Sequence, residues 1–448
     1  MDPHRLLILG AAGRDFHLFN TLYRDNEAAQ VVAFTAQQIP HIDDRRYPPE
    51  LAGDLYPEGI PIHSEDELED LVLAHEIESV VLGYSDLSYD EVGHLMARAT
   101  AMGADFIVPD AWSSMIESRL PVVAVTASRT GVGKSQTSRA VARALRDEGL
   151  RVGIIRHPMP YGDLVRQRVQ RFASEDDLVA HEVTIEEREE YEPHIAAGSV
   201  VYAGVDYGAI LEAAEKESDV IIWDGGNNDT PFYVPDVWMT LVDPHRPGHE
   251  RRFYPGETNV RLADVIIVNK IGTAVAEDVQ SVLANVEEMN ADAVVLRAAS
   301  PITTDDPSVL AGKKVIAVED GPTCTHGGMA YGAGLLGAEA AGAREIIDPR
   351  PFLVGELKET FERYPDLGPI LPAMGYGEAQ IRDLEATLRA AAEHGVEGVA
   401  IGTPIDLGGL VDLPIPHTRC RYELAVQGTP TLKDVLAPVV RMARGEVV

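Results

Sequence analysis

Ser128-Arg129-Thr130-Gly131-Val132-Gly133-Lys134-Ser135 is the stretch whose residue types and spacing are best suited to holding phosphate. The two glycines let backbone N–H groups converge on phosphate oxygens. Lys134 can reach the outer phosphates, and the Ser135 hydroxyl can ligate Mg²⁺. The apolar run from Val122 to Ala127 precedes this loop, and a helical period (Ala140, Val141, Ala144, Leu145) follows it as far as Gly149. A strand, a loop and then a helix bring a positive dipole end to the same point. Ser128 stands where the usual pattern has its first glycine. The expected nucleotide contacts are Thr130, Gly131, Val132, Gly133, Lys134, Ser135 and Gln136.

Further along, Val220-Ile221-Ile222-Trp223-Asp224-Gly225-Gly226 predicts a buried strand ending in a carboxylate, so Ser135 and Asp224 are the expected Mg²⁺ ligands. The alternative for Asp224 is a cap on the next turn. Asn269-Lys270-Ile271-Gly272 ends another strand where guanine-binding proteins carry Asn-Lys-x-Asp. Gly272 has no carboxylate to read a guanine edge, so the expected nucleotide is ATP, with Asn269 and Lys270 near the base. An ordinary βα loop is the plainer reading of the same residues.

Cationic clusters at strand ends suggest a pocket for a small polyanion. His157, Tyr161 and Arg166 follow one strand, and His245 and Arg246 another. His157, Lys134, Asp224 and Arg129 are the expected catalytic set. Arg129 offers a fork of donors suited to a transferring phosphoryl group, or else it braces its own loop; acting across subunits, it would require a homodimer. His326, Gly327 and Gly328 open a glycine-rich helix entrance that can present N–H groups to an anion or serve close packing. The carboxylate-dense run Glu186–Glu192 reads as a solvated helix face, although one member could hold a second metal ion.

Alternating apolar runs and helical periods predict an α/β chain. It divides into a Rossmann-like unit over 1–118, a phosphate-loop NTPase domain with a mainly parallel sheet over 119–305, and an α/β region over 306–448 that extends the central sheet or stands beside it. Gly10 and Gly13 form an abbreviated glycine loop, either a tight turn or a nucleotide contact. A length of 448 residues allows two or three cores, and 45% apolar with 25% charged residues is ordinary for a globular enzyme. The net charge of −34 disfavours nucleic acid as a partner. No apolar span long enough for a membrane is visible. Two cysteines without metal spacing fit a reducing cytoplasm.

Four motifs, Thr126-Ala-Ser-Arg-Thr-Gly-Val-Gly-Lys-Ser135, Arg156-His-Pro-Met-Pro-Tyr-Gly-Asp163, Trp223-Asp-Gly-Gly-Asn-Asn228 and Glu319-Asp-Gly-Pro-Thr-Cys-Thr-His-Gly-Gly328, together resemble the cyclic 2,3-diphosphoglycerate synthetase family over nearly the whole chain. The loop is also similar to that of dethiobiotin synthetases. The resemblance implies an ATP- and Mg²⁺-dependent enzyme joining the two phosphates of 2,3-diphosphoglycerate into a cyclic anhydride. The residues by themselves imply phosphoryl transfer to a small anionic acceptor. A nucleotide-gated switch or metallochaperone without such an acceptor, or a ligase acting on a carboxylated metabolite, stays open.

Overall fold

The computed structural model describes residues 2–37, 45–157, 162–321, 324, 330–373, 378–403 and 407–446. Strands that are apolar along their whole length need cover on both faces. Val122–Ala127 and Val237–Val242, buried at every residue, lie in the middle of a nine-stranded sheet. Its order is Gln170–Phe172, Val200–Ala203, Val152–Ile155, Val220–Asp224, Val122–Ala127, Val237–Val242, Val265–Val268, Val294–Ala299 and Ala425–Gln427. The inner pairings are parallel and both edge strands pair antiparallel. All the inner strands therefore end at one edge, where an open α/β sheet presents its ligand site.

A first sheet, over residues 4–107, is parallel except for the short edge strand Arg46–Tyr47. It meets the central unit through an antiparallel ribbon of Leu87–Ser88 with Phe253–Tyr254. A third sheet holds six strands between residues 302 and 422. The last third therefore builds its own sheet, and only its closing strand extends the central one. The final helix, Leu432–Ala443, then returns to the central core, where Leu436, Val439 and Val440 join Val141 and Leu145 of helix Lys134–Asp147. An apolar seam on each helix makes that docking favourable. No described helix is long and apolar enough to cross a membrane.

Candidate active site

The phosphate loop takes the shape its glycines allow: φ is +80° at Gly131 and +110° at Gly133, values that L side chains rarely adopt. A Cβ at 133 would also lie 2.3 Å from Asn269 Nδ2. Helix Lys134–Asp147 starts at Gly133 with no side-chain cap, so its first N–H groups are free for a ligand, and Ser135 is exposed beside them.

Three consecutive loop carbonyls are pinned from behind. Arg246 donates to Thr130 O at 2.9 Å, Lys270 Nζ to Gly131 O at 2.7 Å, and Asn269 Nδ2 to Val132 O at 2.8 Å. Each planar trans peptide sets its N–H opposite its carbonyl, so these bonds turn the N–H groups of Gly131, Val132 and Gly133 the other way. Asn269 and Lys270, expected near the base, thus hold the loop. Gln136 joins the same brace through Ser300, which also bonds Asn269 Oδ1. Asp243 pairs with Lys270 at 2.8 Å and Arg246 at 3.2 Å. Burial pushes its carboxyl up, but the charge and hydrogen bond of Lys270, the Arg246 charge and the His245 N–H together hold it low. Lys270, Asn228 and Asp86 adopt left-handed φ of 58°, so three of the five described non-glycine residues with positive φ ring this loop. Backbone strain gathers where a site is held in one geometry.

Asp224 is fully buried at the end of its strand. Lys134 Nζ lies 2.8 Å from one carboxylate oxygen. Arg156 Nη1 bonds the other, and His194 Nε2 stands 3.5 Å away. Burial pushes this carboxyl up, but Arg156, Lys134 and the His194 hydrogen bond hold it well below the usual carboxylate range. His194 itself is pushed down by burial, against its contact with Asp224. Ser135 fits Mg²⁺ as it stands. Asp224 fits only through the oxygen that Lys134 now holds, since a metal ion and a lysine compete for it.

Among the described residues the expected polyanion pocket is not assembled. His157 and Arg166 follow Val152–Ile155, and His245 and Arg246 follow Val237–Val242, three strand steps or roughly 14 Å across the sheet. Arg166 is largely exposed and faces Glu182, while His245 bonds Thr273 at the surface. Arg156 binds Glu190 as well as Asp224. The run expected as a solvated helix face lies in helix Ile185–Ala196, where Glu187, Glu189 and Glu192 are buried. Tyr191 of that helix donates to the His157 carbonyl at 2.9 Å, and Thr403 donates to Glu189 at 2.7 Å. Tyr161, His326, Gly327 and Gly328 lie outside the described residues.

The N-terminal unit supplies residues that sequence reading missed. Gly13 packs on the His157 ring so closely that a Cβ there would lie 2.3 Å from Nδ1. Arg14 donates to Thr230 Oγ1 at 2.6 Å, and Asp86 accepts from Thr130 Oγ1 at 2.7 Å. Arg129 lies 3.9 Å above the Phe253 ring and 3.4 Å from Asp86, so its guanidinium is engaged within the chain. Asp15 takes the N–H groups of Ala12 and Phe16, which closes the Gly10–Gly13 loop as a turn and leaves it no open cradle. Charged residues directly after a βα glycine turn, Arg14 and Asp15, were the available signal.

Over 432 residues the chain is 59% identical to arginine synthetase ArcE of Thermococcus kodakarensis, covering 96% of each protein. The chain belongs to this arginine synthetase family. It is an enzyme, an ATP-dependent ligase. A ligase has an acceptor, which leaves no place for a nucleotide switch without one. No protein-family model matches the chain. Among solved structures, LpxK from Aquifex aeolicus in complex with ATP aligns with 83% of this chain and 99% of its own, at 13% identity and a TM-score of 0.46. Cobyrinic acid a,c-diamide synthase from Mycobacterium smegmatis aligns with 39% and 70%, at 17% identity and a TM-score of 0.17. Likenesses this partial carry no argument about the chemistry here.

Proposed function

We propose that this enzyme makes arginine by ATP-driven amination of a ureido amino acid. Arginine differs from citrulline by =NH in place of a ureido oxygen, so a synthetase must activate that oxygen and replace it. The ureido oxygen attacks the γ-phosphorus of ATP and ADP leaves. Ammonia then adds to the resulting O-phosphoryl isourea carbon and inorganic phosphate departs, carrying the former ureido oxygen. The observation that carries this reading is the set of carboxyl groups on the two sides of the strand end at Arg156 and His157. Among the described residues, Arg156 is paired with Asp224 and Glu190, and buried Asp15, Asp229, Glu187 and Glu189 add further carboxyl groups. Such surroundings suit a guanidinium product and an ammonium co-substrate, whereas a pentaanion needs several unpaired cations, of which Arg14 is one.

In this reading Lys134 leaves Asp224 for the polyphosphate, and the N–H groups of Gly131, Val132 and Gly133 hold its oxygens. Ser135, with the oxygen of Asp224 so released, would hold Mg²⁺, whose charge offsets that of the phosphates. Asn269, Lys270 and Arg246 keep the loop in place throughout. The chain's task is alignment and charge balance, since ATP activates an oxygen that is otherwise a poor leaving group.

Cyclisation of 2,3-diphosphoglycerate shares the first step, attack of an acceptor oxygen on the γ-phosphorus, and the four sequence motifs support it. One experiment separates the two. The protein is incubated with ATP, Mg²⁺, ammonium and citrulline labelled with ¹⁸O in the ureido group, and in parallel with ATP, Mg²⁺ and 2,3-diphosphoglycerate. Arginine together with ¹⁸O in inorganic phosphate is the expected result. A cyclic phosphoanhydride signal by phosphorus NMR in the second tube, with no arginine in the first, would replace it.

A further inference from the structure

Three buried polar atoms without hydrogen-bond partners meet where the N-terminal unit touches the end of the central sheet. Arg14, 4% exposed, uses Nη1 on Thr230 Oγ1 at 2.6 Å and Nη2 on Tyr254 OH at 3.0 Å, while its Nε has no partner. No carboxylate lies within ion-pair distance of it among the described residues. Asp229, 1% exposed, is the chain neighbour of Thr230. Its Oδ2 lies 3.0 Å from His157 Nε2, an ion-pair distance without hydrogen-bond alignment, and its Oδ1 has no partner. Gly13 from one unit and Gly226 from the other both pack against Nδ1 and Cγ of His157.

A buried guanidinium satisfied only by neutral hydroxyls is costly, and so is a buried carboxylate with an idle oxygen. The pair does not relieve itself, although Thr230 brings the two residues together. What would satisfy both is a ligand carrying a carboxylate for Arg14 and a cation for Asp229. A free phosphate would meet the first and be repelled by the second.

We propose that Arg14 and Asp229 form a subsite for the α-carboxylate and α-ammonium groups of an amino acid, the head of the acceptor. This rests on the arginine reading above. It gives the N-terminal unit a role, since Arg14 comes from its first βα turn. The bound head would sit beside His157 and direct the side-chain end towards Lys134.

The wild-type enzyme is titrated by calorimetry with L-arginine, agmatine (no carboxylate), Nα-acetyl-arginine (no ammonium) and inorganic phosphate. Arginine is expected to bind roughly tenfold or more tightly than either analogue, the size of one lost charge-assisted hydrogen bond. In Arg14→Met the preference over agmatine should vanish while that over Nα-acetyl-arginine persists, and Asp229→Asn should do the reverse. ATP affinity, unchanged in both, checks that the variants fold. Arg14→Lys, which keeps charge but loses the fork, serves if Arg14→Met does not fold, with an intermediate preference over agmatine expected. Equal wild-type affinities for arginine and agmatine, variants that keep full discrimination, or phosphate competing with arginine would overturn the subsite. An enzyme that forms arginine without discriminating among heads refutes only this subsite; one that neither forms nor binds arginine refutes the arginine reading itself.

Discussion

Two glycine loops in this chain follow a buried parallel strand and enter a helix, and they end in opposite states. At Gly10–Asp15 the first helical turn carries a carboxylate, which folds back onto the N–H groups of Ala12 and Phe16. At Gly131–Ser135 the first turn carries Lys134, and the carboxylate paired with it is Asp224 on a neighbouring strand. Both loops use a glycine at strongly positive φ, +109° at Gly10 and +110° at Gly133. Backbone conformation alone therefore does not make a phosphate site. What separates the loops is whether the first helical turn carries a carboxylate, as Asp15 does and Ser135 does not, and whether the loop carbonyls are held from behind. Asn269, Lys270 and Arg246 do that for the second loop only.

The largest effect should come from breaking the open loop. Lys134→Ala is expected to lower kcat/KM on the order of 10²–10³-fold, as for other lost transition-state donors. Asp224 keeps Arg156 and His194 in the variant, so the melting temperature should fall little; near-normal turnover would mean the loop is no more a phosphate site than its N-terminal counterpart. Next in size is Arg129→Ala, with a drop of about tenfold or more in kcat. Because Asp86 and Phe253 engage Arg129 within the chain, mixing this variant with Lys134→Ala should leave activity at the sum of the two. Partial rescue would instead assign Arg129 to the partner site of a homodimer.

The closed loop should answer in stability rather than rate. In Gly10→Ala the new Cβ would fall 2.1 Å from Asp15 Oδ2 at a φ of +109°, and a loss of about 2 kcal/mol in unfolding free energy is expected. An unchanged denaturation midpoint would show that the carboxylate cap is dispensable. The smallest effect has the clearest sign. Burial pushes the Asp15 carboxyl from 3.8 up to about 7, against the N–H bonds from Ala12 and Phe16. Its neutral form therefore favours the fold fully below pH 3.8, and this contribution is lost as the pH rises through about 7. Asp15→Asn lacks that loss, so its melting temperature relative to wild type should climb across the window. A gap that stays flat, or narrows, would place the Asp15 carboxyl in ordinary surroundings.

The phosphate loop, Asp224 at its strand end and the alternation of strands and helices were all legible in the sequence, because each depends on residues within one βα unit. Glycine spacing and an unbroken apolar run act over a few residues, and no distant contact is needed to interpret them. The four cationic residues expected together, His157, Arg166, His245 and Arg246, were grouped by type, and strand order then separated them. The helix run at Glu187–Glu192 was dense in charge yet largely buried, because Arg156 and Thr403 reach it from other elements and Arg188 pairs with Glu192 along the helix itself.

By itself, then, the sequence determined a glycine loop at the end of a parallel strand, with Lys134 and Ser135 opening the helix that follows. Tertiary structure alone decided what stands opposite that loop. Arg14 reaches Thr230 across 216 residues, and His157 meets Asp229 only because their strands are neighbours. Charge in a sequence has sign but no partner. Whether it becomes a brace, a buried knot or an unsatisfied group awaiting a ligand depends on desolvation and on the few ångströms that the fold sets.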